Sequence, residues 1–268
     1  MVAKVIGIIA LKGGVGKTTV VANLGAVLAE HYQKKVLIVD ANFSTPHLGL
    51  HVGLVDANHY LHHALENKYS IYEAIYQHEL GFHIIPGKLA PNPINPYALK
   101  EKIDSLKEIY DYIIIDSSPS LNDEMAATIV ASDEIIVISS PDYPTLSSTL
   151  HAIKIAKEKE SPIRGIILNK IRKKKFELTN KDISEASDVE ILANIPDSLR
   201  VLSATSKMTP VVSFAPKDEA SIAYKKLAGN LIGEKQKKAK KSTTNKKKST
   251  PKRQKSPQRK MKQKRKNE

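Results

Sequence analysis

Short apolar runs recur along the chain at 5–10 (VIGIIA), 36–39 (VLIV), 82–85 (FHII), 112–115 (YIII), 135–138 (IIVI) and 165–168 (GIIL). They are rich in β-branched residues and do not alternate with polar ones. That pattern suits strands covered on both faces, as in a parallel sheet. A further strand is predicted near 189–195. The stretches between them, 17–32, 97–109, 123–131, 145–158 and 179–187, are long enough for crossover helices, and shorter helices are expected at 197–207 and 217–232. A strand–helix rhythm of this kind predicts a doubly wound, mostly parallel α/β sheet with helices on both faces. Two stretches interrupt it. Residues 41–80 show no strand pattern and read as a loop followed by short helices over the mouth of the sheet. Residues 87–96 (GKLAPNPINP) carry three prolines and read as a connector.

Charge divides the chain. Residues 235–268 hold 17 Lys and Arg against one acid, Glu268, which leaves 25 basic and 27 acidic residues in 1–234. The overall charge of +14 therefore belongs to the last 34 residues. Those residues include one Met and no aromatic, too little apolar surface to offset the cost of ordering, so a disordered tail is expected beyond a single 1–234 domain. Cysteine is absent, which excludes disulfides, thiolate zinc sites, cysteine nucleophiles and cysteine-held iron–sulfur clusters. No apolar run approaches the roughly 18 residues of a membrane-spanning helix. The apolar N-terminus leads directly into a glycine-rich motif and reads as a first strand, not a cleaved signal. The expected location is cytoplasmic, with association at a nucleoid or inner-membrane surface.

The glycine-rich motif is KGGVGKTT at 12–19. It follows a predicted buried strand and opens a predicted helix. Gly13, Gly14 and Gly16 let backbone N–H groups turn inward around phosphate oxygens, Val15 lying between them. The helix N-terminus faces the same anion. Lys17 neutralises β- and γ-phosphate charge, Thr18 offers a hydroxyl to Mg²⁺, and Thr19 reaches a phosphate oxygen. The strict phosphate-loop pattern has an additional first glycine, where this chain has Leu11. Asp40 and Asp116 end the second and fourth predicted strands, where carboxylates can hold Mg²⁺ and orient water. Asn169 ends the sixth, and its amide can pair with an adenine edge.

Lys12 ahead of two glycines, with Lys17 after them, resembles the deviant Walker A motif (KGGxGKT) of the MinD/ParA ATPases. The resemblance extends over 1–232. It includes Asp40 in the first switch, Asp116-Ser117-Ser118-Pro119 in Walker B and the second switch, and Asn169-Lys170 at the base site. Ile195-Pro196-Asp197 and Pro210-Val211-Val212 resemble the family's late loop near the base. The stretch 39–54 looks most like the archaeal MinD-like branch. The resemblance implies a P-loop fold and an ATPase that uses ATP and Mg²⁺ to switch between monomer and homodimer. Lys12 would cross to the partner's phosphates, with Lys12, Lys17, Asp40 and Asp116 as catalytic residues. Asn169, Lys170, Pro196 and Asp197 would hold the base. The implied role is spatial positioning or partitioning, with a protein activator or cargo as partner. Two features depart from MinD: Asn42 stands where a second acid is found, and 235–268 offer no apolar face for a membrane-targeting helix. Slow turnover is the expectation from Asn42.

The 17 cationic side chains of 235–268 suit phosphate neutralisation, so nucleic acid is the expected partner of the tail and an anionic membrane surface its rival. A partition ATPase that binds DNA without sequence preference and a slow or inactive ATP-gated adaptor that recruits a partner are the alternative functions. Arg172–Lys175 reads as a solvated loop. His59, His62 and His63 have the spacing of one helix face and read as surface histidines, without an acid or fourth ligand to complete a metal site.

Overall fold

A computed structural model describes residues 2–88 and 94–233. The basic segment 235–268, expected to be disordered, lies outside the described residues, as do 89–93 of the proline-rich connector.

The first half of the domain contains β1 (Lys4–Ile9), α1 (Lys17–Ala26, continued by a π-turn over Val27–His31) and β2 (Val36–Ala41). Two short helices follow, α2 (Leu48–His51) and α3 (Leu61–Leu65), then β3 (Tyr76–Gln77) and β4 (His83–Ile85). Next come α4 (Leu99–Asp104), β5 (Tyr112–Ser117), α5 (Asp123–Ala131), β6 (Glu134–Ser139) and α6 (Tyr143–Glu158). The remainder is β7 (Ile163–Ile171), α7 (Asn180–Ser187), β8 (Ile191–Pro196), α8 (Leu199–Ser206), α9 (Val211–Phe214) and α10 (Glu219–Leu231).

The eight strands form one sheet in the order β3-β4-β2-β5-β1-β6-β7-β8. Every pairing is parallel except β3 with β4. The order reverses direction at β1, and there the loops leaving the strand ends part to form a crevice. Side chains alternate between the two faces, as the period of two requires. Ile6, Ile8, Ile38, Ile114 and Ile136 pack with α1 and α10 on one face. Val5, Leu37, Val39, Ile113 and Ile115 pack with α3 and α4 on the other. Ile9, Ile135, Val137 and Ile166 pack there with α5, α6 and α7. The sheet is therefore buried on both faces, which is why its strands read as unbroken apolar runs.

The structure corrects several expectations. Residues 41–80 do contain a strand, β3. Its two residues pair antiparallel at the sheet edge and are too short to leave a pattern. Asp116 consequently lies on the fifth strand, not the fourth, and Asn169 on the seventh, not the sixth. None of the three terminates its strand: Ala41, Ser117 and Ile171 extend β2, β5 and β7. The helix expected over 97–109 is shorter, a 3-10 turn at Pro96–Ala98 followed by α4. His62 is buried at 3% exposure, not on the surface, and His59 precedes α3, so the three histidines do not share a helix face.

Candidate functional site

The glycine loop leaves β1 at the crevice and turns directly into α1. Gly14 and Gly16 both have positive φ, 74° and 98°. A Cβ at Gly16 would also collide with the Asn169 amide. Built Cβ atoms on Gly13 and Gly14 meet nothing within 4 Å, so the loop lines open space. Gly16 is the N-cap of α1 and supplies no side-chain cap, so the first-turn N–H groups remain available to a ligand.

The loop is held from behind by β7. Asn169 Nδ2 donates to Val15 O at 2.7 Å, and Lys170 Nζ donates to Gly14 O at 2.7 Å. The register of β7 against β8 slips between Leu168 and Ile171, and Lys170 takes φ 58°. That irregularity lies at these two residues, whose side chains reach the loop. The Asn169 donor expected to read adenine is thus spent on the loop backbone here.

Lys17 and Thr18 lie over the strand ends. Lys17 is 7% exposed, and burial lowers its pKa despite the nearby Asp116 carboxylate. Asp40 and Asp116 are register partners on β2 and β5. Both are 1% exposed. Burial pushes both carboxyls up; the proximity of Asp116 adds to this for Asp40, while Lys17 and the Thr18 hydroxyl oppose it for Asp116. Asp40 accepts backbone N–H groups from Asn42 at 3.2 Å and Leu48 at 2.9 Å. Asp116 differs: its Oδ1 is buried and has no hydrogen-bond partner. Two adjacent acids, one with an orphaned oxygen, beside a threonine hydroxyl form an oxygen donor set that fits Mg²⁺, which favours one or two carboxylates completed by phosphate and water. Among the described residues no group of three His, Cys, Asp or Glu could hold a metal ion by itself.

A cavity of about 460 Å³ runs from the loop across the crevice. Its lining includes Gly13, Gly14, Gly16, Lys17, Thr18 and Thr19, and also Asn169, Lys170, Pro196, Asp197, Val201 and Leu202. Val15 is not a lining residue: its side chain is buried in the core and its carbonyl serves as the Asn169 acceptor. Asp40 and Asp116 lie beneath, outside the lining. Asp197 accepts a 2.7 Å bond from Arg172 Nε, so Arg172 is paired and not simply a solvated loop residue.

Lys12 points away from the cavity lining. Its Nζ donates to Thr145 Oγ1 at 2.6 Å and to Asp142 Oδ1 at 3.3 Å. Burial raises the Asp142 pKa, but the combined bonds from Ser140, Thr145 and Lys12 outweigh it and bring it down to about 2. Sequence reasoning missed this receptor. Asp142 is the N-cap of α6, a role that a Pro two residues later signals, but its second role has no local pattern. It also missed Gly87, where a Cβ would lie 3.0 Å from Asp40 Cγ and 2.8 Å from Pro46 Cβ, so that a side chain would press on the acid.

The family described as an AAA domain matches residues 3–167, more than half of the chain. An uncharacterized ATP-binding protein of Methanocaldococcus jannaschii is 30% identical over 240 residues, covering 87% of this chain and 89% of its own. The septum site-determining protein MinD of Thermotoga maritima is 29% identical over 235 residues, 83% and 86% of the two chains. Among solved structures, MinD of Pyrococcus horikoshii complexed with Mg-ADP aligns with a TM-score of 0.81 at 30% identity, over 85% of this chain and 96% of that one. The chain belongs to the MinD/ParA family of ATPases. The fold expected from the apolar runs, a doubly wound P-loop sheet, is the family's fold. Glycine loop, carboxylate pair and the residues at the end of β8, Pro196 and Asp197, lie together at the sheet's switch point. Among the described residues no helix is long and apolar enough to cross a membrane.

Proposed function

We propose that this protein is a Mg-ATP-dependent switch that dimerises with ATP and serves in positioning or partitioning a cellular cargo. One observation carries the reading. Lys17, Thr18 and an Asp116 oxygen without a partner meet beneath a glycine loop that lines open space. An anion above and a divalent cation between would satisfy all of them. Loop N–H groups, the α1 N-terminus and Lys17 hold the phosphates, and Thr19 assists. Thr18 and Asp116 would hold Mg²⁺, with Asp40 beside them. When bound, the ion would supply neutralisation of phosphate charge. Asp40 orients the attacking water. Asn169, Lys170, Pro196 and Asp197 frame the base, with Val201 and Leu202 as its apolar wall.

In the homodimer Lys12 leaves Asp142 and Thr145 and reaches the partner's phosphates. Both ends of that exchange are charge-assisted, so the released Asp142 contact opposes dimerisation and the γ-phosphate contact favours it. ATP shifts the population because ADP offers less negative charge to Lys12. An active domain spanning 1–234 and a basic arm at 235–268 complete the scheme, the arm binding nucleic acid through its 17 cations. A second reading is a slow or inactive ATP-gated adaptor, favoured by Asn42. Its amide is occupied with Thr45, donating to Thr45 O at 2.6 Å and accepting from Thr45 N at 3.2 Å, and it cannot take a proton from water.

Calorimetry of the full-length protein with ATP, with and without Mg²⁺, tests the switch alongside equilibrium sedimentation. Saturable binding tightened by Mg²⁺ and a dimer seen with ATP but not ADP are the expected results. Absence of binding removes the reading, and tight binding with no phosphate release favours the adaptor.

A further inference from the structure

The loop that leaves β2 is fastened by a residue 80 positions away. Glu124, in the first turn of α5, accepts three hydrogen bonds from it. Phe43 N and Ser44 N donate to Oε2 at 3.1 and 3.4 Å, and Ser44 Oγ donates to Oε1 at 2.6 Å. Both carboxylate oxygens are engaged. The same loop is closed on itself by the Asn42–Thr45 bonds and tied at its ends to Asp40 through Asn42 N and Leu48 N. Asp40 thus takes the amides of 42 and 48 and Glu124 those of 43 and 44, while Thr45 N donates to Asn42 Oδ1. The Phe43 ring is buried in the core and seats the loop.

The other end of the connection lies just after Asp116. The segment 117–122 joins β5 to α5, and Asn122 ties it to the helix. Its Oδ1 accepts Met125 N at 3.1 Å, and its Nδ2 donates to Ser118 Oγ at 3.3 Å. Glu124 follows Asn122 by two residues. The side chain therefore bridges the segments that follow the two acids, while lying outside the cavity lining.

We propose that Glu124 is a positioning residue that locks the 42–45 loop to α5, so that the segments following Asp40 and Asp116 respond to nucleotide as one body. The proposal rests on the ATPase reading above. Phosphate binding does not depend on it, because the glycine loop is fastened from β7. Turnover does, because Asp40 and this clamp hold neighbouring amides of one loop, 42 and 48 against 43 and 44, and a small displacement of a water-orienting group is costly. Loss of Glu124 should therefore separate binding from turnover.

The test uses full-length Glu124→Ala, Glu124→Gln and Ser44→Ala proteins. MgATP affinity is measured by calorimetry, turnover by phosphate release, and amide hydrogen exchange at Phe43, Ser44 and 117–122 with and without MgATP. Glu124→Ala should lower kcat about 10-fold or more while leaving Kd within about 2-fold. Phe43 and Ser44 amides should exchange at least about 10-fold faster, and MgATP should no longer protect both segments together. Glu124→Gln, whose amide can still accept from the loop and donate to Ser44 Oγ, should restore most of the rate. Ser44→Ala should cost about 2- to 3-fold in kcat. Should Glu124→Ala fail to fold, the Gln and Ser44 variants carry the same test. If the wild type neither binds nor hydrolyses MgATP, the ATPase reading falls and this proposal with it. If the wild type is active and Glu124→Ala matches it in kcat, or loses Kd in proportion to kcat, the proposal alone is overturned.

Discussion

The two loops that flank the crevice are fastened in opposite senses. The glycine loop is held by its carbonyls: Asn169 and Lys170 donate to Val15 O and Gly14 O. The loop after β2 is held by its amides, which donate to Asp40 and Glu124. Fastening a loop by its carbonyls leaves its N–H dipoles for an anion. Fastening by amides spends those dipoles on carboxylates. In the function proposed above, the crevice thus has an anion side built from backbone and a cation side built on the buried acids Asp40 and Asp116.

The sharpest way to break this division is at the lysines, which share the motif but not the setting. Lys17 is buried over Asp116, whereas Lys12 is bound to Asp142 and Thr145 outside the cavity lining. Lys17→Ala should weaken ATP binding by at least about 100-fold, roughly 3 kcal/mol, since it removes a charge-assisted phosphate contact in a desolvated setting. Lys12→Ala should keep monomer affinity within about 2-fold and eliminate the ATP dimer. Calorimetry and sedimentation on the two variants separate them; equal losses of affinity would erase the distinction between the lysines.

The cation side is tested at Asp116, with a smaller effect. Burial raises the two carboxyls in the nucleotide-free protein, and the Asp116 charge adds to this for Asp40. A raised folded pKa means that this stability is present below the ordinary carboxylate range and lost as pH rises through the raised folded values, because the folded state then holds protons that the unfolded state has released. Asp116→Asn removes one charge and keeps an acceptor for Thr18. It should raise the nucleotide-free Tm near neutral pH by about 2–4 °C, as roughly 1 kcal/mol does for a domain of this size. It should also flatten the fall of Tm with pH and abolish the tightening of ATP by Mg²⁺. A melting series from acid to neutral pH checks this: a lower Tm with undiminished Mg²⁺ dependence would remove Asp116 from the cation side.

The same contrast explains what the sequence revealed. Sheet and glycine loop were legible because each is written locally: buried strands as β-branched runs, the anion side as closely spaced glycines that tolerate φ values of 74° and 98°. Asp40 and Asp116 could be placed because each follows such a run. The cation side's supports were not legible. Glu124 serves Phe43 and Ser44 from 81 and 80 positions away, Asp142 and Thr145 serve Lys12 from 130 and 133 away, and Gly87 leaves room for Asp40 from another strand's exit. Such partners are chosen by topology, and a helix N-cap or an exposed glutamate reads the same whether or not a distant loop lies over it. Asn169 falls between the two cases. Its position just after an apolar run was readable, but its attachment to Val15 O accompanies a register slip that no residue pattern announces.

Asn169 also gives the finest test of the division. If the anion side depends on carbonyl fastening, then removing one fastener should loosen the loop without touching its charge. Asn169→Ala forfeits a neutral 2.7 Å hydrogen bond to Val15 O, while Lys170 still holds Gly14 O. A neutral bond of this kind contributes about 0.5–1.5 kcal/mol, so ATP affinity should fall about 2- to 12-fold. ADP should lose a similar factor, because the loop holds phosphates common to both. A much larger loss confined to adenine nucleotides, with tripolyphosphate unaffected, would instead make Asn169 a base reader that leaves Val15 when nucleotide binds. Parallel titrations with ATP, ADP and tripolyphosphate separate the two: an equal factor across all three places the effect on the loop, and a factor present with the base and absent without it places it on adenine.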